Sequence, residues 1–291
     1  VKSLKGQYHQ DWNFHVVKTG DKLSIGSGKE LVFVEMPMLH WPDSMATYLT
    51  GDNILFSNDA FGQHLANNSL FNDLVDQCDL INEAMKYYAN ILTPFSQILR
   101  KKLAEIISFN LQIDMIATSH GVIWRDNPMQ IVEKYAQWAD DYQENQVTVI
   151  YDTMWNGTRT LAEAIAEGIR SANPELTVKV FNITKTDEND VITEIFKSKA
   201  VIVGSPTNTR SILHSVAGFL HLMKELKFQK KKAAAFGCYG WSGESVDVIN
   251  KALEDAGFKL INQGFKNQWN PDAEGRQRAF EYGKQLAIEL L

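Results

Sequence analysis

The chain has 291 residues, of which 44% are hydrophobic and 22% are charged, and its formal net charge is −6. At roughly 100–200 residues per domain, this length suggests two globular domains. An acidic chain without a basic stripe is not expected to bind nucleic acid, and no apolar run approaches the ~18 residues of a membrane helix. The two cysteines, Cys78 and Cys238, lie far apart. They exclude a disulfide framework and a four-cysteine metal site, and they fit the reducing cytoplasm.

The first half of the chain is predicted to contain strands, then helices, then one more strand. This order, without a repeated strand–helix alternation, is typical of part of an α+β sandwich. We therefore expect residues 1–144 to form one domain. The predicted elements are hairpins over 22–34 and 47–56, helices over 72–88 and 97–107, a strand over 113–117 and a polar helix over 133–143.

Three residues that bind metals in many proteins follow apolar strands of this half: His40, Asp59 and His120. Imidazoles and a carboxylate at converging strand ends are typical ligands of zinc or iron. Each residue also has an ordinary interpretation. His40 fits a core imidazole bonded to backbone, Asp59 a turn cap, and His120 a loop residue before glycine.

The second half alternates short apolar strands with helices, which predicts βαβ units and a doubly wound parallel sheet of five strands. Ligands of such sheets bind at the carboxyl ends of the strands. The run Lys230–Lys232 is predicted to be a solvated turn. The predicted strands are 147–151, 178–181, 200–204, 233–237 and 258–261, and the helices lie around 161–169, 191–196, 213–226, 244–256 and from 273 onward.

The first strand leads through residues 152–158 directly into a helix. The free amide groups of a helix N-terminus, with threonine and asparagine donors beside them, form an anion cradle. The loop is neither a Walker loop nor a Gly-x-Gly-x-x-Gly turn, which disfavours nucleoside triphosphates and NAD. An ordinary turn with Thr158 as the helix N-cap is the alternative interpretation.

The loops after the third and fourth strands, 204–210 and 237–244, combine small, polar and aromatic residues. A flavin needs a phosphate cradle, aromatic surfaces for its flat ring and backbone donors at its edge. Trp155, Tyr239 and Trp241 are the candidate stacking groups, although a single surface tryptophan is more often a packing residue.

Residues 145–291 resemble flavodoxin and carry its phosphate loop in the form Thr-Met-Trp-Asn-Gly-Thr. The resemblance implies a flavodoxin-like fold that binds FMN without a metal and cycles it through one-electron steps. The residues expected at the cofactor are Thr153, Met154, Trp155, Asn156, Gly157, Thr158, Ser205, Pro206, Thr207, Asn208, Thr209, Gly237, Tyr239, Gly240, Trp241 and Gly243.

The segments that begin at His40, Ser57 and Thr118 resemble the metallo-β-lactamase-fold domain of flavodiiron proteins, with the flavorubredoxin branch the most similar. In that family this domain precedes a flavodoxin domain, as it does here. The resemblance implies that His40 binds one iron, His120 binds the second, and Asp59 bridges the two. It also places a tyrosine, which we take to be Tyr87, beside the metal ligands.

The same resemblance implies a reaction and partners. Electrons would pass from a rubredoxin-like donor, or its reductase, through FMN to two iron ions. The iron would reduce dioxygen to water or nitric oxide to nitrous oxide. A head-to-tail homodimer would bring the flavin of one subunit beside the iron of the other, with no role for a membrane.

Two features of the family are missing from these 291 residues. A His-x-Glu-x-Asp-His segment, which supplies four more iron ligands, would lie before Val1, and there is no paired Cys-x-x-Cys rubredoxin motif. We therefore expect residues 1–144 to be the C-terminal portion of an αββα diiron domain. One alternative is a flavodoxin-type electron carrier with a degenerate, metal-poor N-terminal domain. The other alternative is a zinc hydrolase, but hydrolysis needs no electrons and would not use the fused flavin domain.

Overall fold

The computed structural model describes residues 1–228 and 230–290, which divide into two compact units, Val1–Asp140 and the residues from Asp141 onward. Gln229 and Leu291, which fall inside the predicted domain 145–291, lie outside the described residues. Each unit is built around its own sheet. Within the described residues, no helix combines the length and the apolar character needed to cross a membrane.

The N-terminal unit contains a five-stranded sheet in the order β1-β2-β3-β4-β5. Both predicted hairpins form, and the last strand joins parallel to the fourth. The strands are β1 (Lys22–Gly26), β2 (Lys29–Glu35), β3 (Met45–Leu49), β4 (Ile54–Asn58) and β5 (Met115–Thr118), and the helices are α1 (Lys2–Tyr8), α2 (Gln77–Tyr87), α3 (Ser96–Ser108) and α4 (Met129–Trp138).

The two faces of this sheet differ in burial. One face packs into the core, where Leu55 of β4 lines a cavity together with Leu103 of α3 and Val132 of α4. The opposite face, which we call the outer face, is also apolar, yet none of its large side chains is buried. Strand register places on it Leu23, Leu31, Phe33, Leu49, Ile54, Phe56 and Met115.

The prediction of a polar helix over 133–143 was wrong. The helix is α4, which begins at Met129 and ends at Trp138. Its apolar residues recur at helical spacing, and Tyr135 and Trp138 are buried in the core. The charged residues Glu133 and Lys134, which precede Tyr135, are on the exposed side of the helix, which is why the segment looked polar in sequence.

The C-terminal unit alternates strands and helices as predicted. Its strands are β6 (Gln146–Tyr151), β7 (Thr177–Asn182), β8 (Ala200–Gly204), β9 (Lys232–Tyr239), β10 (Lys259–Leu260) and β11 (Phe265–Gln268). Its helices are α5 (Gly157–Ala172), α6 (Glu188–Lys197), α7 (His214–Leu226), α8 (Ser245–Asp255) and α9 (Ala273–Glu289). All pairings are parallel, in the order β10-β9-β8-β6-β7. The strand order reverses direction between β6 and β8, where doubly wound sheets bind ligands.

The predicted fifth strand is β10, and a sixth strand that was not predicted, β11, follows it. β10 pairs with the start of β9, and β11 pairs with its end, also in parallel. Between them, Gly264 has a φ of +90°, and a Cβ atom there would lie 2.6 Å from the Ala235 carbonyl oxygen. The chain therefore turns away from β9 and returns, so that β11 ends at the same sheet edge as the predicted flavin loops.

Helices α5 and α9 pack backbone to backbone on one face of this sheet. A Cβ atom at Gly168 would lie 2.0 Å from the Phe280 carbonyl oxygen, and one at Gly283 would lie 2.1 Å from that of Ile165. Only glycine permits so close an approach. The start of α5 is thereby fixed relative to the turn that enters α9.

The prediction of a solvated turn at Lys230–Lys232 was wrong for its middle residue. Lys231 is buried, and its Nζ donates hydrogen bonds to the carbonyl oxygens of Phe196 (2.7 Å), Ser198 (2.7 Å) and Tyr142 (3.2 Å). A buried ammonium group is tolerated when it is fully hydrogen-bonded.

Candidate functional site

In the N-terminal unit, His40, Asp59 and His120 come together around one carboxylate. The Nε2 atom of His40 lies 3.6 Å from Oδ2 of Asp59, and the Nε2 atom of His120 lies 3.7 Å from Oδ1. All three side chains are partly buried. Each imidazole therefore faces a different oxygen of Asp59.

The sheet brings Asp59 and His120 together. They follow the carboxyl ends of the adjacent parallel strands β4 and β5, and the Ser119 amide donates to the Asn58 carbonyl oxygen at 2.9 Å. The Ser119 hydroxyl then donates to Oδ1 of Asp59 at 2.9 Å. Because these contacts fix the two strand ends, the carboxylate is held in one orientation.

A buried amide connects the same two loops. Oε1 of Gln63 accepts the amide hydrogen of Val122 at 2.8 Å, and Nε2 of Gln63 donates to the Phe61 carbonyl oxygen at 3.0 Å. Gly62 packs directly beneath His120, where a Cβ atom would lie 2.7 Å from the ring. The loop that carries Asp59 therefore supports the ring of His120.

The arrangement is that of a carboxylate placed to bridge two cations, each with one imidazole. Within the described part of the chain, no three histidine, cysteine, aspartate or glutamate side chains are arranged to hold one metal ion. These two observations agree, because two cations sharing Asp59 would each receive only two ligands from these residues. The donor types suit iron or zinc.

Tyr87, which the resemblance to flavodiiron proteins assigns to this site, lies against His120. Its ring centroid is 5.0 Å from that of His120, and it ends α2 where a π-helical turn, Tyr88–Leu92, begins. Such turns are frequent at functional sites. Burial, and next the negative charge of Asp59, raise the pKa of the Tyr87 hydroxyl well above its usual range.

Sequence reasoning did not place His64 at this site, but the structure does. Its ring lies 5.0 Å from Tyr87 and 5.1 Å from His120, and it is exposed. The signal was its position two residues after Gly62, in the segment that also carries Asp59.

In the C-terminal unit, the loop after β6 leads into α5 without a side-chain cap. The residue at the N-cap is Asn156, with a φ of 63°, and not Thr158 as the alternative interpretation held. The hydroxyl oxygen of Thr158 lies 3.3 Å from Sγ of Cys238. The side chain of the N-cap residue therefore accepts from none of the amide groups of the first turn, which leaves donors for an anion.

Two further groups fit an anion at this turn. The Oγ1 atom of Thr153 is buried and has no hydrogen-bond partner in the described protein, and such atoms are rare because each costs desolvation energy. Burial raises the pKa of the Cys238 thiol, so the sulfur beside the turn carries no charge that would repel a phosphate. These features fit the phosphate of FMN.

The loops after β8 and β9 are bound to one another. The Thr207 amide donates to the Cys238 carbonyl oxygen at 2.9 Å, and a Cβ atom at Gly237 would lie 2.3 Å from the Ser205 carbonyl oxygen. The hydroxyls predicted to face a cofactor are used internally. Ser205 donates to the Pro206 carbonyl oxygen and Thr207 donates to Ser245. Their role is to hold the loops in position.

The aromatic side chains at this edge are open to solvent. Trp155 is 84% exposed and Trp241 is 87% exposed, while Tyr239 packs against Gly243. The flat faces of both indoles are available to a flat ring. Trp269, which directly follows β11, lies at the same edge and was missed because β11 itself was not predicted.

Comparison with known proteins gives the same division of the chain. The ODP family beta lactamase matches residues 6–121, and the flavodoxin family matches residues 149–283. Relatives named anaerobic nitric oxide reductase flavorubredoxin, from Klebsiella pneumoniae and Escherichia coli, are each 53% identical over 288 residues, or 99% of this chain. The chain spans 60% of the length of these relatives.

Solved structures agree with both units at once. Rubredoxin oxygen:oxidoreductase from Desulfovibrio gigas has a TM-score of 0.94 at 34% identity, over 99% of this chain and 72% of that one. The flavodiiron protein from Giardia intestinalis has a TM-score of 0.92 at 32% identity, over 99% and 71% of the two chains. With both domains matched in the same order, the chain belongs to the flavodiiron protein family.

Proposed function

We propose that this chain carries electrons on FMN to a diiron centre that reduces nitric oxide to nitrous oxide, or dioxygen to water. The observation that carries the proposal is the carboxylate of Asp59, with a different imidazole facing each of its oxygens. A zinc hydrolase would have no use for the fused flavodoxin domain, whereas a reductase needs an electron carrier.

The residues of the N-terminal unit would divide between two metals. His40 and one oxygen of Asp59 would hold one iron, and His120 and the other oxygen would hold the second. Iron bound there supplies a Lewis acid and a source of electrons for a diatomic substrate. Tyr87 closes the site beside His120 and keeps its own proton.

The C-terminal unit would bind FMN through its phosphate turn and its exposed indoles. Bound FMN supplies the one-electron steps that carry electrons from the donor to the metals. Thr153 and the first turn of α5 receive the phosphate, while Trp155, Tyr239 and Trp241 cover the ring. The first turn of α5 has no side-chain cap, so its backbone amides are available to attract the phosphate.

The setting and partners are proposed from the relatives. Those at 53% identity are named nitric oxide reductases, which favours nitric oxide over dioxygen as the substrate. The name rubredoxin oxygen:oxidoreductase favours a rubredoxin-like donor, directly or through its reductase. We propose a head-to-tail homodimer in the cytoplasm, and the free thiols of Cys78 and Cys238 suit that reducing compartment.

Iron content tests the bridging role of Asp59. In a protein that extends this chain to the length of its relatives, Asp59→Asn should lose iron at both positions. His40→Ala and His120→Ala should each lose chiefly one, because a bridging carboxylate interacts with two cations. The measurement is iron per FMN after desalting. Full iron in Asp59→Asn, with iron lost in the two histidine variants, would contradict this assignment.

A second candidate is a flavodoxin-type carrier with a metal-poor N-terminal domain. It is favoured by the small number of ligands, because His40, Asp59 and His120 would give each of two metal ions only two protein ligands. The test of this second candidate uses the 291-residue polypeptide itself, without the additional length of its relatives. Given FMN and ferrous iron, it should bind the flavin but retain little iron, and nitric oxide consumption should not exceed that of free reduced flavin. Iron at two per chain with rapid turnover would exclude the carrier.

A further inference from the structure

The turn between β11 and α9 lies at the edge of the sheet from which the three predicted flavin loops extend. β11 runs parallel to β9 and pairs with it through residues 265–268. Its carboxyl end therefore lies beside that of β9. The residues that follow, 267–271, are called the fourth turn here.

The fourth turn contacts the phosphate turn, which comprises residues 152–158 at the start of α5. A Cβ atom at Gly157, the first residue of α5, would lie 3.1 Å from Oδ1 of Asn270 and 3.5 Å from Cδ of Pro271. The side-chain amide of Asn270 is exposed, and the described residues give it no hydrogen-bond partner of its own. The Asn270 side-chain amide is thus within reach of an anion seated on the first turn of α5, and rotation of the amide group by 180° would turn its N–H donors toward that anion.

The same turn contacts the loop that follows β9. The Trp269 amide donates to the Tyr239 carbonyl oxygen at 2.6 Å, and Nε2 of Gln268 donates to the Gly240 carbonyl oxygen at 3.0 Å. A Cβ atom at Gly240 would lie 3.1 Å from the indole of Trp269. The indole is nevertheless 62% exposed, so one edge packs and most of its surface faces solvent.

The fourth turn is held firmly from behind. Asn267 is buried, and its Nδ2 donates to the carbonyl oxygens of Gln268 (3.0 Å) and Trp269 (3.3 Å). Its Oδ1 accepts a hydrogen bond from Arg278 of α9 at 2.9 Å. Trp269 is held at a φ of 60°, which L-residues rarely adopt. The turn is therefore held in one conformation beside the loop that follows β9.

We infer that residues 267–271 form a fourth loop of the flavin site, in which Asn270 donates its side-chain amide to the phosphate and Trp269 extends the aromatic surface beside Tyr239 and Trp241. This inference rests on the proposed binding of FMN. It adds one donor for the terminal phosphate and one ring surface for the isoalloxazine.

Flavin titration of the full chain separates the two roles. Asn270→Ala should weaken FMN roughly tenfold and leave riboflavin, which lacks the phosphate, nearly unchanged, since a hydrogen bond to a charged group is lost. Asn270→Asp should weaken FMN further through like charge and still spare riboflavin. Trp269→Ala should weaken both flavins roughly fivefold, because it removes stacking area, and should shift the flavin reduction potential.

Matched controls keep the test independent of folding. Gln263→Ala removes an exposed amide from the preceding turn, and Trp12→Ala removes an exposed indole from the N-terminal unit. Both should bind FMN as the parent does, and far-UV circular dichroism should show each variant folded. A parent chain that fails to bind FMN would overturn the proposed function and this inference together. FMN binding that is normal in the parent and unchanged in all Asn270 and Trp269 variants would overturn this inference alone.

Discussion

At the scale of single residues, the hydroxyl groups near the flavin edge differ in what they bind. Ser205 and Thr207 use their hydroxyls to hold loops, and that of Thr158 lies against a sulfur atom. Thr153 alone among these four is buried without a partner. Burying a hydroxyl without a hydrogen-bond partner costs ~1–3 kcal/mol of stability in the ligand-free protein. A ligand that forms a hydrogen bond with this hydroxyl recovers that energy.

Replacing Thr153 by valine tests this reading. In the flavin-free protein, the free energy of unfolding should change by less than about 1 kcal/mol or increase, because no protein hydrogen bond is lost. FMN affinity should fall roughly tenfold while riboflavin affinity stays constant. Thr148→Val is the control, since its hydroxyl donates to the Glu194 carbonyl oxygen. It should lose stability and keep FMN affinity, and the same pattern in Thr153→Val would contradict the assignment.

The buried amine of Lys231 should make the stability of the protein depend on pH. Its pKa is lowered from 10.5 to about 7, chiefly by burial, with Asp141 opposing the shift. Between these values the unfolded chain holds the proton and the folded chain does not, so stability should rise with pH through this window. The rise is at most about 1.4 kcal/mol per pH unit, and below the window the dependence should vanish.

Urea unfolding at several pH values measures this contribution. The parent should gain stability from pH 7 to pH 9.5, and Lys231→Met should lack that gain. Lys179→Met, an exposed lysine on β7, should retain it. Equal slopes in the parent and in Lys231→Met would show that Lys231 stays charged, as its three carbonyl acceptors would favour.

At the scale of elements, Gly168 of α5 and Gly283 of α9 allow the backbones of the two helices to approach closely. Gly168→Ala should lower the free energy of unfolding by about 1–3 kcal/mol, because a methyl group would overlap the Phe280 carbonyl. Gly218→Ala, in α7, meets no atom within 4 Å and should raise stability by roughly 0.5–1 kcal/mol. Denaturant midpoints measure both, and a stabilised Gly168→Ala would show that the helices can move apart.

Sequence periodicity predicted the buried strands and the amphipathic helices, because both patterns arise from local spacing. It failed where a distant partner decides the structure. Gly264 divides the edge strand because the Ala235 carbonyl lies opposite it, and Lys231 is buried because three carbonyls converge on its side chain. Trp269 was missed for the same reason, since it follows a strand, β11, whose pairing with β9 no local pattern indicates.

At the scale of the whole chain, the two candidate sites share no residue. All the predicted metal ligands precede residue 121, and all the predicted flavin residues follow residue 152. Asp59→Asn should therefore leave FMN affinity unchanged within twofold, a limit well inside ~1 kcal/mol. Fluorescence titration measures this affinity, and a large loss of FMN binding would reveal a coupling that the separate sites do not predict.

The outer face of the N-terminal sheet has a consequence for how the molecules attract one another in solution. Its large apolar side chains are half-buried or exposed, and Phe56 is 43% exposed. Contiguous patches of this kind favour adhesion between copies, more strongly as salt screens the net negative charge.

Light scattering of the 291-residue polypeptide should give a negative second virial coefficient that becomes more negative with salt. The double variant Leu23→Ser and Phe56→Ser should move it toward zero and reduce binding of a hydrophobic dye, whereas Ile288→Ser, a solitary exposed residue on α9, should change neither. A virial coefficient equally positive in the parent and the double variant would mean that this face is not adhesive.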